Sequence, residues 1–172
     1  LVLGSAKPHQ FCHSQYRNLP SLRRLMADPL VEMHPDAARA RDIRDGDWVR
    51  ITTSSGSVKA RARLIASLRP DTVMGQHGWW QACEALGKPG FPVLGEGSAN
   101  FNQLVADTEA DPISGSVPHR SGLCQVTRLA RHSRSTLPPD NHGGCGAGGR
   151  AVPAVDSWSM IAPTAKRYFD NP

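Results

Sequence analysis

Apolar and polar side chains alternate strictly from Ser57 to Ile65: Val58, Ala60, Ala62 and Leu64 fall on one face, and Lys59, Arg61 and Arg63 on the other. A period of two is that of a strand with one buried and one wet face. The run Trp48 to Thr52 precedes it, and Ser54, Ser55 and Gly56 between the two supply a turn, so the pair predicts a β-hairpin. Shorter strands are predicted at Leu1 to Leu3, ending at Gly4, at Val31 to Met33, at Thr72 to Met74 after the turn Arg69-Pro70-Asp71, and at Leu123 to Leu129. Leu19, Leu22, Leu25 and Met26 recur at helical spacing and predict an amphipathic helix stopped by Asp28-Pro29. Pro35 suits the first position of a second helix through Ala37, Ala38 and Ala40, where its missing amide hydrogen costs nothing. Asp45-Gly46-Asp47 is a turn, and His77 to Gly97 reads as loop. Short strands with brief helices between them give a mainly β fold with short helices, in the manner of a small barrel.

The pattern changes near residue 130. From there the chain carries Pro138-Pro139 and a glycine-rich run from Gly143 to Gly149, which has too little apolar surface to offset the entropy of ordering it. Residues 1–129 therefore read as the domain and 130–172 as a Gly/Pro-rich, poorly ordered extension in which Trp158, Met160, Ile161, Tyr168 and Phe169 offer a docking segment. No Gly-Lys-Ser/Thr follows the glycine run, so it is not read as a phosphate loop.

The 172 residues carry 20 Lys+Arg against 15 Asp+Glu, a formal charge of +5 that suits an anionic partner without choosing one. The extension holds five cations against three acids, a net of +2, which leaves +3 on residues 1–129. No apolar stretch approaches the ~20 residues of a membrane span, and Leu1-Val2-Leu3 is too short for the apolar part of a signal peptide. A cytoplasmic setting is expected, for a chain that lacks an initiator Met and so reads as processed, trimmed or a fragment. Cys12, Cys83, Cys124 and Cys145 contain no CxxC pair, which predicts structural thiols in place of a zinc site.

Three polar clusters stand at the ends of the predicted elements, where a rigid frame presents side chains to a ligand. The first is Lys7 with His13, Ser14, Gln15, Tyr16 and Arg17, whose charges and donors suit phosphate oxygens. The second, Gln76 to Trp80, couples a close-approach glycine, Gly78, to paired tryptophans that stack on a flat ring or fill the core. The third comprises Asn100, Asn102 and Gln103, followed by Asp111 to Ser116 and by His119 and Arg120. Asn amides there offer the donor and acceptor needed to read a pterin or purine edge. No catalytic constellation appears: His13 and Ser14 are sequence neighbours without a third orienting group, and Asp45 and Asp47 flank a turn. Glu96, Asp107, Glu109 and Asp111 lack the spacing of a calcium loop. The Lys59, Arg61 and Arg63 row reads as solvated strand charge rather than as a phosphate site.

Five stretches in order, Gly4 to Arg17, Met33 to Val49, Gly56 to Arg63, His77 to Trp80 and Ser98 to Val126, resemble the C-terminal dinucleotide-binding domain of the molybdopterin oxidoreductases, the dimethyl sulfoxide reductase superfamily. His13-Ser14 with Arg17, and His77-Gly78-Trp79-Trp80, look most like the acetylene hydratase branch. The resemblance implies a double-psi β-barrel of the aspartate decarboxylase type. It also implies binding of a bis(molybdopterin guanine dinucleotide) cofactor, with molybdenum or tungsten, shared with domains or subunits absent from this chain. By position it makes Lys7, His13, Ser14, His77, Gly78, Asn100, Asn102 and Arg120 cofactor-binding, with no catalytic and no metal-ligating residue in this chain. Lys7 stands where the family more often has Arg, and Cys12 is not the metal ligand, which comes from an earlier domain. Two rival readings remain at this stage: a free-standing barrel that binds another nucleotide or anion, and, ranked last, a nucleic-acid binder on the Lys59 row.

Overall fold

The computed structural model describes residues 1–106, 108 and 110–130. The predicted extension with its docking segment, Cys145, and the acids Asp107 and Glu109 lie outside the described residues.

Seven strands form one mixed sheet among the described residues: β1 (Val2–Ala6), β2 (Leu30–Met33), β3 (Trp48–Thr52), β4 (Ser57–Leu64), β5 (Thr72–Gln76), β6 (Gly122–Leu123) and β7 (Gln125–Arg128). Their order is β6-β1-β5-β2-β4-β3-β7. The end strands β6 and β7 are separated in sequence by Cys124 alone. One short segment thus pairs with β1 at one end of the sheet and with β3 at the other, so the sheet curls into a half-barrel. The expected single strand from Leu123 to Leu129 is accordingly broken, because its two halves serve different neighbours. β1 pairs parallel with β5, and β2 parallel with β4; the other pairings are antiparallel.

The hairpin forms as its pattern predicts, with Trp48 opposite Arg61 and Thr52 opposite Ser57. Val58, Ala60 and Ala62 point inward and are buried. They join Val31, Met33, Val49, Ile51 and Val73, each no more than 1% exposed, inside the curl. Burial of side chains of this size contributes about 1.5–3 kcal/mol apiece relative to exposure. β1 outruns its expected end at Gly4, because Gly4, Ser5 and Ala6 continue the parallel ladder against Met74, Gly75 and Gln76.

The second helix, α2 (Pro35–Arg39), starts at Pro35, with His34 accepting the Asp36 amide at 3.1 Å. The first, α1 (Pro20–Leu25), is present, and of its predicted apolar residues Leu22 and Met26 pack against Phe11, Trp79 and Ala99, but Arg23 turns inward with them. Leu19 and Leu25 are exposed, Leu25 to 70%, whereas Arg23 is 1% exposed. The Arg23 guanidinium reaches the carbonyls of Ala27 at 2.7 Å, Gln81 at 3.0 Å, Arg17 at 3.2 Å and Pro89 at 3.5 Å. A fork of donors that satisfies carbonyls from separate loops outweighs the weak preference of one leucine for the interior.

The cationic row of β4 is not simply solvated. Arg61 pairs with Asp28 at 2.7 Å and lies 4.7 Å from the Trp48 ring, Lys59 sits over Trp48 and Phe91, and Arg63 stands 3.8 Å from Glu32. Neighbouring strands and loops engage these charges, which removes the motive for a nucleic-acid surface there. Cys12, Cys83 and Cys124 are free thiols. No helix among the described residues is long and apolar enough to cross a membrane.

Candidate functional site

The register of β1 and β5 decides where the site lies. They run parallel with Ala6 opposite Gln76, so the loops that follow both strands leave the sheet at the same edge. The first loop brings His13 and Ser14; the second brings His77, Gly78 and Trp80. β6 runs antiparallel to β1 with Gly122 opposite Leu3, so the residues before β6 come back toward the end of β1 and deliver His119 and Arg120. A bridge from Trp79 to Ala99 ties in the start of the 3₁₀ turn Phe101–Leu104, which adds Asn100 and Asn102. A cavity of about 440 Å³ opens where these segments meet; the loop residues His13, Ser14, His77, Gly78, Trp80, Asn100, Asn102, His119 and Arg120 line it, together with Ser5 and Phe101.

Seven of the eight residues singled out from the sequence therefore converge: His13, Ser14, His77, Gly78, Asn100, Asn102 and Arg120. Lys7 does not line the cavity, although its charge reaches His77. Asn100 lines it with an amide already engaged at both ends, since Oδ1 accepts from the Asn102 amide at 3.2 Å and Nδ2 donates to Val93 O at 3.0 Å. Asn102 is the exposed member of the pair, and its side-chain amide has no hydrogen-bond partner among the described residues. The paired tryptophans part company: Trp79 is fully buried and fills the core, whereas Trp80 is 36% exposed and lines the cavity. Ser5, Phe101 and His119 are additions. Ser5 is missed when the first strand is ended at Gly4, while His119 is signalled by its place beside Arg120.

Arg17, grouped at first with the phosphate-seeking charges, belongs to the floor. It is fully buried, with its guanidinium carbon 4.5 Å from the Phe11 ring centroid and 4.8 Å from that of Trp79. Phe11 and Trp79 meet edge to face at 5.6 Å, and with Ala99 they form a second small core under the loops. Burial, and then the neighbouring Arg23 charge, pull the Arg17 pKa down to about 10. It stays charged at neutral pH.

Among the described residues no carboxylate lines the cavity; its polar groups include imidazoles, hydroxyls, amides and one guanidinium. Burial holds the His77 pKa below its ordinary value, and the surrounding Arg17, His13, Lys7 and His119 push the same way. His77 therefore tends to stay neutral until a negative charge enters, which favours its protonation. The His13 and His77 rings stand 6.4 Å apart. Among the described residues no cluster of three or more His, Cys, Asp or Glu is placed to hold a metal ion. The chemistry the arrangement offers is recognition of an anionic, hydrogen-bonding ligand with a flat portion that can lie against Trp80.

Residues 1–122 match the family described as the molydopterin dinucleotide binding domain. The chain is 34% identical over 107 residues to the dopamine dehydroxylase of Eggerthella lenta, covering 61% of this chain and 10% of that protein. It is 29% identical over 122 residues to the thiosulfate reductase molybdopterin-containing subunit of Salmonella typhimurium, covering 71% of this chain and 15% of that one. In structure it is similar to acetylene hydratase from Pelobacter acetylenicus, with a TM-score of 0.63 at 22% identity, over 75% of this chain and 18% of that one. The chain thus spans between 10% and 18% of the length of these relatives.

Proposed function

The chain belongs to the molydopterin dinucleotide-binding family, and from that premise we propose that the cavity at the ends of β1 and β5 holds part of a bis(molybdopterin guanine dinucleotide) cofactor, as the cofactor-binding domain of a molybdenum or tungsten oxidoreductase. The observation that carries this reading is the lining itself: donors from four separate segments converge on one cavity, with no opposing carboxylate among the described residues. The donor set fits the group. His13, Ser14, His119 and Arg120 suit phosphate oxygens, Asn102 suits a pterin edge, and Trp80 offers a flat face. Gly78 leaves the two loops room to touch, since a Cβ there would lie 2.7 Å from Ser14 Cα.

In this role the chain binds and orients. The cofactor, once held, supplies the redox chemistry, and the remaining domains supply the metal ligand and the substrate pocket. The curled mixed sheet and its likeness to acetylene hydratase support the double-psi form of barrel. We place the domain within residues 1–129, with 130–172 as an extension. A free-standing module is the weaker alternative, because the curated relatives carry this domain within far longer chains.

Substitution of Asn102 by Ala, or of His13 by Ala, in the full-length protein lowers pterin and metal content per polypeptide while leaving the thermal midpoint near that of the parent, since both side chains are exposed. Each lost contact to a charged or polar ligand group is expected to cost roughly tenfold in affinity. Unchanged pterin content in both purified variants argues against the cavity as the binding site.

A further inference from the structure

The Arg17 guanidinium does more than fill the floor. Its Nη1 donates to His13 O at 2.8 Å and its Nη2 to His77 O at 2.7 Å, so one rigid fork holds the carbonyls of both site loops. The donor that leaves each of these peptide units on the opposite side is the N–H of the next residue, Ser14 in one loop and Gly78 in the other. In a trans peptide the C=O and N–H are antiparallel, and none of the peptide bonds is cis. Both amides therefore point away from Arg17, and both residues line the cavity. Neither the Ser14 nor the Gly78 amide has an acceptor among the described residues, although Gly78 is buried and Ser14 partly so. Buried backbone donors are almost always paired, so a matched pair without partners at a cavity wall points to a ligand that supplies the acceptor.

Arg17 itself has no carboxylate partner among the described residues. Its uncompensated charge stands behind two peptide dipoles whose positive ends face the cavity. Backbone amides gathered in this way make a concave seat for an anion.

We propose that Arg17 is a positioning residue that aims the Ser14 and Gly78 amides, from two different loops, into a shared seat for the oxygens of a phosphoryl group. The inference rests on the cavity being the cofactor site proposed above, and it identifies which of the cofactor's groups meets these two loops. The contact is made by backbone, so no change of side chain at Ser14 short of proline removes it; the lever that keeps both amides is Arg17. Lysine keeps the charge but cannot hold two carbonyls in a planar fork.

The test uses the 172-residue chain with inorganic pyrophosphate as the probe, read by amide NMR and by calorimetric titration. In the parent, the Ser14 and Gly78 amide protons move downfield together on titration. Arg17→Lys weakens pyrophosphate binding about tenfold and abolishes the paired shift. Arg23→Lys, which removes a second buried fork that touches neither site carbonyl, leaves the affinity within about twofold, so that lost stability and lost aim are told apart. Equal binding and equal amide shifts in Arg17→Lys overturn the inference. Movement of His13, His119 and Arg120 signals in the parent without the Ser14 and Gly78 amides overturns the inference but leaves the cavity as the site. If no cavity signal moves in the parent, the seat and the proposed site fall together.

Discussion

Replacing Gly78 by alanine lowers the stability of the domain by about 2–4 kcal/mol and strips the full-length protein of most of its cofactor. Gly78 has φ +80°, a conformation that costs an L-residue roughly 1–2 kcal/mol. A Cβ built there would also lie 2.7 Å from Ser14 Cα and 2.9 Å from His13 O. Both neighbours are backbone in the loop that crosses the cavity floor, so neither rotates away as a long side chain does. Relief comes only by parting the two loops, which pulls the carbonyls of His13 and His77 off Arg17 and widens the cavity. Gly46 is the control: its φ is +78°, but nothing lies within 4 Å of the added Cβ. Gly46→Ala then shows the conformational cost alone, about 1–2 kcal/mol, with cofactor content unchanged. Urea denaturation and pterin quantification of the two variants side by side measure the difference. Equal effects at the two positions would mean that the loops do not touch as described.

The second large effect is expected at Arg23, which a reader of the sequence would place on a helix surface. Arg23→Leu leaves four carbonyls without the donors they now share, those of Ala27, Arg17, Gln81 and Pro89. A leucine of smaller volume offers them nothing, and the second core under Trp79 loses the guanidinium 5.0 Å from that ring. At about 1–3 kcal/mol for each buried acceptor left without a partner, the loss amounts to about 3–5 kcal/mol once loop relaxation and water reach some of them. The exposed neighbour Leu25, substituted by Lys, changes stability by less than ~0.5 kcal/mol. Chemical denaturation of both variants decides the matter. A loss under ~1 kcal/mol in Arg23→Leu, or a larger one at Leu25, restores the ordinary amphipathic reading of α1.

These two arginines also show where a sequence stops being legible. The β3–β4 hairpin could be read directly, because an unbroken period of two leaves one face for the core and one for water, and the register follows. α2 could be read from Pro35 and its alanines. Arg17 and Arg23 could not, since nothing local distinguishes an arginine whose donors meet distant carbonyls from one that faces water. The partners of Arg17 include His77 O, and those of Arg23 include Gln81 O and Pro89 O; all lie about sixty residues away and are brought near only by the parallel pairing of β1 with β5. The same pairing explains why the lining of the cavity is legible as residue clusters but not as a geometry. His13, His77, Asn102 and Arg120 each fall in a polar cluster beside or between the apolar runs, which the sequence shows. Their convergence depends on strand order, which it does not. Ser5 fell outside the reading for a smaller reason, a strand ended two residues early at a glycine that its ladder tolerates.

The central claim is that this cavity, and not the larger groove of about 1100 Å³ over Trp48, Lys59 and Arg61, receives the cofactor. A structure of the cofactor-loaded full-length protein tests it most directly. The account predicts phosphate oxygens within hydrogen-bond reach of the Ser14 and Gly78 amides, with Asn102 at the edge of the pterin. Cofactor bound elsewhere on the domain, with the β1 and β5 loops turned to solvent, would contradict it.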